Sequence, residues 1–313
     1  VYQIPTKRDA RTDVAWALQR LFYSLQTSDT SVSTQELTRS FGWGTRQLFE
    51  QQDVQEMSRK LIEQLEQRMK GTPVENALPD LFTGKMRTYV SCINVDYETS
   101  LTEDFWDIQL NVANNRSLDE GFKDYIEVYN MVGELQFYAG EQHKLQDARK
   151  GVIFEKFPPV LHLHLKRYQY DITRDAMVKL HDYFEFPEEF DAAPYLYAGA
   201  DKSEPWTYLL VGIIVHDGDI NGGSYYAFLR PAKHGPFYKF SDDLVTRATL
   251  KEAIQDNFGG NPMNGGYAAN KASAYMLVYI RKSKLAHVLA DITKKDLPEP
   301  LGTDPLTLNN NTC

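Results

Sequence analysis

The chain has 313 residues, of which 42% are hydrophobic, 12% aromatic and 25% charged. That composition suits a globular chain able to bury a sizeable core, as one large domain or two smaller ones. A formal net charge of −9 argues against nucleic acid as the main partner, because phosphate binding needs clustered Lys and Arg; it suits a basic partner or a solvated acidic surface. The two cysteines, Cys92 and Cys313, stand far apart and imply no disulfide framework, so a reducing compartment is expected: cytoplasmic, nuclear or both. No apolar run approaches ~18 residues, so no membrane span is expected. No signal-peptide pattern opens the chain. It starts at Val1, without a Met and in an amphipathic stretch, as expected of a segment from inside a longer protein.

Residues 13–70 read as helical. Val14, Leu18, Leu21, Phe22 and Leu25 recur at helical spacing. Ser33 with Glu36 resembles a capping box before a short helix. Val54, Met57, Leu61, Ile62 and Leu65 share one face of a helix over 53–69, which Gly71, Thr72 and Pro73 end. Beyond residue 84 the pattern turns to strands over 86–95, 105–112, 151–157, 160–170, 208–216, 225–229, 237–240 and 274–281, rich in aromatic and β-branched residues. Residues 118–125 read as a short helix. Stretches 191–204 and 257–270 read as loops, and the tail over 297–313 as disordered. The fold class is α+β: helices first, then a large, mostly antiparallel sheet.

Six segments in order resemble the ubiquitin-specific protease family. They are Phe41-Gly42-Trp43, Gln51-Gln52-Asp53-Val54-Gln55-Glu56, Leu165-Lys166-Arg167-Tyr168, then Val215-His216-Asp217-Gly218 running to Gly222-Gly223-Ser224-Tyr225. Phe240-Ser241-Asp242-Asp243 and Ala274-Tyr275-Met276-Leu277-Val278-Tyr279 complete the set. Each is weak alone; six in this order make a strong signal. Within the family the chain is most similar to the herpesvirus-associated type and its fungal relatives, over roughly residues 1–285. The resemblance implies a papain-like hand of thumb, fingers and palm. Residues 1–85 would be the thumb without its N-terminal part, 86–150 most of the fingers, 151–285 mainly palm, and 286–313 a helix end and disordered tail. It also implies ubiquitin on the fingers, with its C-terminal tail running between thumb and palm.

The family's chemistry is thiol hydrolysis: a Cys attacks, a His takes its proton, and an Asp or Asn orients the His. The family's Cys box reads Gly, two residues, Cys, Tyr or Phe, one residue, Asn. Neither Cys92, in an expected finger strand, nor Cys313, in the tail, lies in such a box; the box is expected upstream if the protein has one. At the family's His position stands Ser224, whose hydroxyl cannot accept a proton near neutral pH. At the Asp/Asn position stands Ser241. Asp242 is retained but has no imidazole to orient. His216 matches a family His that flanks the tail channel without acting as base, and Asp217 and Asp219 read as turn residues beside Gly218.

Many family members hold zinc in the fingers through two Cys-x-x-Cys pairs. Cys92 and His143 would be only two of the four ligands a structural zinc needs, so no metal and no cofactor are expected. His162 and His164 share one strand face, where a half-exposed surface is the simpler reading than ligation. Asp53 and Glu56 match family carboxylates that pair with arginines of ubiquitin's tail; their spacing suits one helix face, which an ordinary solvated face would also explain. Trp43 would line the channel, or else fill core. Tyr168, His216, Tyr225 and Tyr275 are channel candidates and Arg167 a family palm position, with sheet packing as the plain alternative for all. Three functions fit: an inactive pseudo-deubiquitinase that binds ubiquitin, a ubiquitinated protein or other protein partners as a scaffold; an active cysteine deubiquitinase with its Cys box upstream; or an interaction domain that no longer binds ubiquitin.

Overall fold

The computed structural model describes residues 1–8, 12–42, 53–260 and 271–298. The chain divides into two compact units, Val1–Leu78 with Ala290–Cys313, and Pro79–Leu289.

The first unit is helical. Helix α1 (Val14–Thr27) starts at Asp13, whose carboxylate accepts the Ala15 and Trp16 amides, satisfying donors that the first turn leaves without partners. The same buried carboxylate meets Arg68 at 3.1 Å. Helix α2 (Gln35–Ser40) is capped differently from the sequence expectation. Its N-cap is Thr34, with no side-chain cap bond, and Ser33 Oγ accepts only the Gln35 amide, so the Ser33–Glu36 box does not form. Helix α3 (Val54–Met69) begins at Asp53 and ends at Lys70. The core joins Ile4, Val14, Ala15 and Leu18 to Leu65 and Met69, with Leu61 packed against it, while Phe22 and Leu25 stay exposed.

The second unit opens at helix α4 (Ala77–Phe82), which begins at the end of the first. A four-stranded antiparallel sheet follows, in the order β2-β1-β7-β4: β1 (Gly84–Cys92), β2 (Glu98–Phe105), β4 (Tyr129–Met131) and β7 (Ala148–Lys156). The expected single strand over 105–112 is two. Residue 105 ends β2, and β3 (Ile108–Asn111) joins a different sheet. Helix α5 (Leu118–Tyr125) forms where expected, capped by Ser117 and burying Leu118 and Phe122. Short strands β5 (Phe137–Tyr138) and β6 (Leu145–Gln146) pair beside it in the chain.

The large sheet runs β15-β14-β13-β12-β16-β8-β3, with β11 (Glu189–Asp191) also pairing β12. Its strands are β8 (Val160–Lys166), β12 (Thr207–Asp219), β13 (Gly222–Leu229), β14 (Phe237–Ser241), β15 (Leu244–Ala248) and β16 (Ala272–Arg281). Every pairing is antiparallel except β3 with β8. The expected strand over 160–170 breaks at Arg167, so that β9 (Tyr168–Asp171) leaves the sheet to pair with β10 (Ala176–Lys179). The core is aromatic-rich: Phe122 meets Phe154 and Phe157 edge to face and stacks on Tyr195 at 4.6 Å.

Candidate functional site

The candidate residues of the second unit gather around the β12–β13 hairpin. Its register sets His216 opposite Tyr225 and Asp217 opposite Ser224, and it closes from Asp219 to Gly222 through Ile220 and Asn221. Asp217 and Asp219 are thus strand residues, not turn residues. Two features carry the ladder through this polar stretch. Asp219 pairs with Lys271 at 2.5 Å and His181 at 3.0 Å, and Gly218 and Gly223 supply backbone at φ +140° and +158°, which side-chain-bearing residues rarely adopt. Gly223 also makes room for His216, because a Cβ there would come within 2.9 Å of His216 Nε2.

His216 is buried, and its Nδ1 lies 3.2 Å from Tyr168 Oη. Its ring meets Tyr225 at 4.9 Å and Tyr168 at 5.9 Å; Tyr275 meets Tyr168 and Tyr225, each at 5.8 Å. His164 completes the group, edge-on to Tyr275 at 4.7 Å. The four channel candidates of this unit therefore form one cluster from four strands. Tyr275 is buried, whereas Tyr168 and Tyr225 are partly exposed.

Ser224 is exposed and Ser241 half-buried. Neighbours along a strand point to opposite faces and paired residues to the same face. Ser224 with Asp217 therefore faces away from His216 with Tyr225. The β13–β14 ladder pairs Ala227 with Phe240. One further step sets Ser241 opposite Tyr226, two residues along from Ser224 and on its face. Ser241 pairs with Leu244 across a two-residue turn, and the retained Asp242 sits in that turn at φ +51°, where Asp is tolerated better than most residues.

Arg167 is fully buried. Its Nε donates to Ala274 O at 2.7 Å, Nη1 to Leu180 O and Asp182 O, and Nη2 to Phe258 O. Burial pushes its pKa down to about 10, with Asp182 opposing, so it stays charged at neutral pH. This guanidinium ties three backbone segments together, and no part of it reaches the surface. Sequence reasoning passed over a second such cation, Lys179. Its Nζ donates to the carbonyls of His216 at 3.1 Å and of Gly218 and Lys271 at 2.8 Å each. Burial, and then the charge of Arg167, lower its pKa to about 8. The available signal was an apolar run, Ala176-Met177-Val178, closed by a lysine after the polar turn at 171–175.

In the first unit, Asp53 is the N-cap of α3, with Oδ1 accepting the Gln55 amide at 2.8 Å and the Glu56 amide at 3.1 Å. Glu56, in the first turn, pairs with Lys60 at 2.7 Å. Trp43 lies outside the described residues. Cys92 is a free, half-buried thiol, and His143 packs on Tyr97. His162 stacks on Phe82 at 5.3 Å, and burial lowers its pKa. Among the described residues no three His, Cys, Asp or Glu side chains converge as metal ligands.

Comparison with known proteins gives these arrangements a context. The model of the ubiquitin carboxyl-terminal hydrolase family matches residues 2–279. Ubiquitin carboxyl-terminal hydrolase 15 of Schizosaccharomyces pombe is 53% identical over 305 residues, covering 95% of this chain and 27% of that protein. The Saccharomyces cerevisiae protein of the same name is 47% identical over 322 residues, 96% of this chain and 26% of its own. Ubiquitin carboxyl-terminal hydrolase 7 of Drosophila melanogaster is 45% identical over 302 residues, again 96% and 26%. The chain thus spans about a quarter of the length of these relatives. Among solved structures, the SAGA Ubp8/Sgf11/Sus1/Sgf73 DUB module bound to ubiquitin aldehyde superimposes with a TM-score of 0.73 at 22% identity, over 90% of this chain and 62% of that one. The chain belongs to the ubiquitin carboxyl-terminal hydrolase family, and its fold is the α+β fold of the ubiquitin-specific proteases.

Proposed function

We propose that this chain is a pseudo-deubiquitinase domain: it binds ubiquitin, or a ubiquitinated protein, and does not hydrolyse the bond after ubiquitin's last glycine. The observation that carries the proposal is the pair Ser224 and Ser241, which stand where the family's boxes hold the His base and its Asp/Asn partner, on one face of two neighbouring strands. A serine hydroxyl neither takes a thiol proton near pH 7 nor protonates a leaving amine. Losing members of such a triad costs about 10⁴-fold or more in rate. His216 does not substitute, because it faces the other side of the hairpin and is buried there among Tyr168, Tyr225 and Gly223. Recognition is supported by what remains: the Tyr168–His216–Tyr225–Tyr275 cluster and the acidic start of α3 at Asp53 and Glu56.

The test pairs two measurements. In a ubiquitin–rhodamine assay the chain and the full-length protein release no fluorophore above background; turnover abolished by a thiol-alkylating reagent would instead make the protein an active deubiquitinase. In calorimetry, ubiquitin binds with a Kd of about 10⁻⁵ to 10⁻⁴ M, equivalent to roughly 5.5–7 kcal/mol, and ubiquitin lacking its C-terminal tail binds more weakly. Equal binding of the two forms refutes use of the tail, and no binding at millimolar concentration refutes ubiquitin recognition.

A further inference from the structure

The large sheet has two edges, and they are finished differently. At one edge, β3 is short, with Ile108 and Leu110 buried, and α5 lies over it: Asn111 Nδ2 donates to Asp124 Oδ2 at 2.9 Å, and Leu110 packs beneath Gly121. At the other edge, β15 has no neighbour on its outer side among the described residues. Four of its five residues are exposed, including Leu244 at 62% and Val245 at 51%. Proteins commonly guard such an edge with a proline, a bulge or several charges. β15 has no proline, its register with β14 is unbroken from Phe237↔Ala248 to Ser241↔Leu244, and it carries one charge, Arg247.

The strand runs directly into a cleft of about 540 Å³ whose lining includes Glu188, Arg230, Pro236, Phe237, Arg247 and Leu250. The charges around it differ in their commitments. Arg230 is buried, paired with Glu188 at 2.5 Å and seated over Phe237 at 4.5 Å. Lys251 is paired with Asp256, and Glu252 caps its own helix through Thr249. Arg247 is exposed and has no ion pair among the described residues, on a chain of net charge −9.

We propose that β15 is a docking edge for an extended peptide, which adds as a further strand of the sheet and sets an Asp or Glu side chain against Arg247 at the mouth of the cleft. The backbone of β15 supplies the hydrogen bonds, Leu244, Val245 and Leu250 supply apolar contact, and the exposed Arg247 selects an acidic partner over a basic one. The edge lies two strands along the sheet from β13, which carries Tyr225.

The test is selection of a random heptapeptide library, displayed on phage, against the whole chain and against Arg247→Glu. The parent is expected to enrich sequences with alternating β-branched residues and an Asp or Glu at one fixed position. Arg247→Glu exchanges that residue for Lys or Arg and weakens the parent's selected peptide about tenfold in fluorescence polarisation. Titrated into isotope-labelled protein, the same peptide shifts the amides of residues 244–250. Circular dichroism checks that the variant is folded, and Leu250→Ser serves as a second cleft variant that also weakens binding. The proposal is overturned if no sequence is enriched, if both proteins select the same charge, if the shifts fall elsewhere, or if sedimentation shows that the edge pairs with a second copy of this chain.

Discussion

Truncating Arg167 to alanine tests whether this residue acts as an internal tie. Its guanidinium donates to four carbonyls from three separate stretches: Ala274 in β16, Leu180 and Asp182 after β10, and Phe258 in the loop beyond. Phe258 O keeps a second donor, the Phe184 amide at 2.8 Å, so the main loss falls on the other three. Each buried carbonyl deprived of its donor costs about 1–3 kcal/mol, and the void adds to this. Against that, truncation relieves the cost of burying the charge. A pKa lowered to about 10 from 12.5 corresponds to roughly 3 kcal/mol of disfavoured protonation. The balance is a net loss of about 3–5 kcal/mol, a large part of the stability of an ordinary domain. Arg167→Lys keeps the charge without the fork and should lose roughly half as much. Urea unfolding followed by circular dichroism measures both. A loss under about 1 kcal/mol for the alanine variant would refute the reasoning. Because no part of the guanidinium reaches the surface, the folded fraction of Arg167→Lys should bind ubiquitin as the parent does; a selective loss of affinity would mean that Arg167 contacts the ligand.

Three further variants separate structural from recognition roles. Asp53→Ala should cost about 1 kcal/mol through the lost cap, whereas Asp53→Asn keeps the cap; both should lower ubiquitin affinity several-fold and reduce its salt sensitivity, and unchanged affinity in Asp53→Asn would confine the residue to capping. Lys179 has a folded pKa of about 8 against the ordinary 10.5. The unfolded chain therefore binds more protons between those values, and the native state is penalised below pH 8 and relieved as pH rises through the window. Relative to Lys179→Met, the parent should gain about 1–3 kcal/mol between pH 7.5 and 10; a flat difference in urea unfolding across that range would contradict it. Gly223→Ala would set its Cβ 2.3 Å from Asp217 O and 2.9 Å from His216 Nε2, so the hairpin should be destabilised by about 2 kcal/mol or more in thermal unfolding, and an unchanged Tm would show that the approach is looser than described.

Some of this fold is written locally. Over 118–125, Ser117 supplies the cap and Leu118 and Phe122 the buried stripe, so short-range signals suffice. Strand β2 is not readable that way: seven of its eight residues are exposed, and its place comes from pairing with β1 rather than from its own pattern. The break at Arg167 is equally silent in sequence, because β8 and β9 both read as strand and only the buried guanidinium marks where the chain leaves the sheet. Polar, glycine-rich 217–223 reads as a loop, yet it is ladder, held by Asp219 with Lys271 and His181 and by the two glycines. The aromatic cluster became visible only through the family motifs, since Tyr168, His216, Tyr225 and Tyr275 are spread over more than a hundred residues of chain. Lys179 carried no motif at all.

The proposed match of Ser224 and Ser241 to the family's His and its carboxylate partner can be tested without any catalysis. Continuing the β13–β14 register sets Ser241 opposite Tyr226, so Ser224 and Ser241 are diagonal neighbours on one face. Such positions lie about 7–8 Å apart, a gap that an imidazole and a carboxylate can close with their side chains. In Ser224→His alone the new imidazole faces only the native Asp217, its cross-strand partner. In Ser224→His with Ser241→Asp it faces a second carboxylate, which stabilises the imidazolium and raises its pKa. Because position 224 is exposed, solvent screening holds the shift to about one unit, readable by NMR titration of the ring protons. His216 provides the internal contrast, for it lies on the opposite face and its resonance should be unmoved by either substitution. Equal pKa values for the new imidazole in the single and double variants would mean that the two positions are out of reach, and the argument that they once formed a catalytic pair would fall with them.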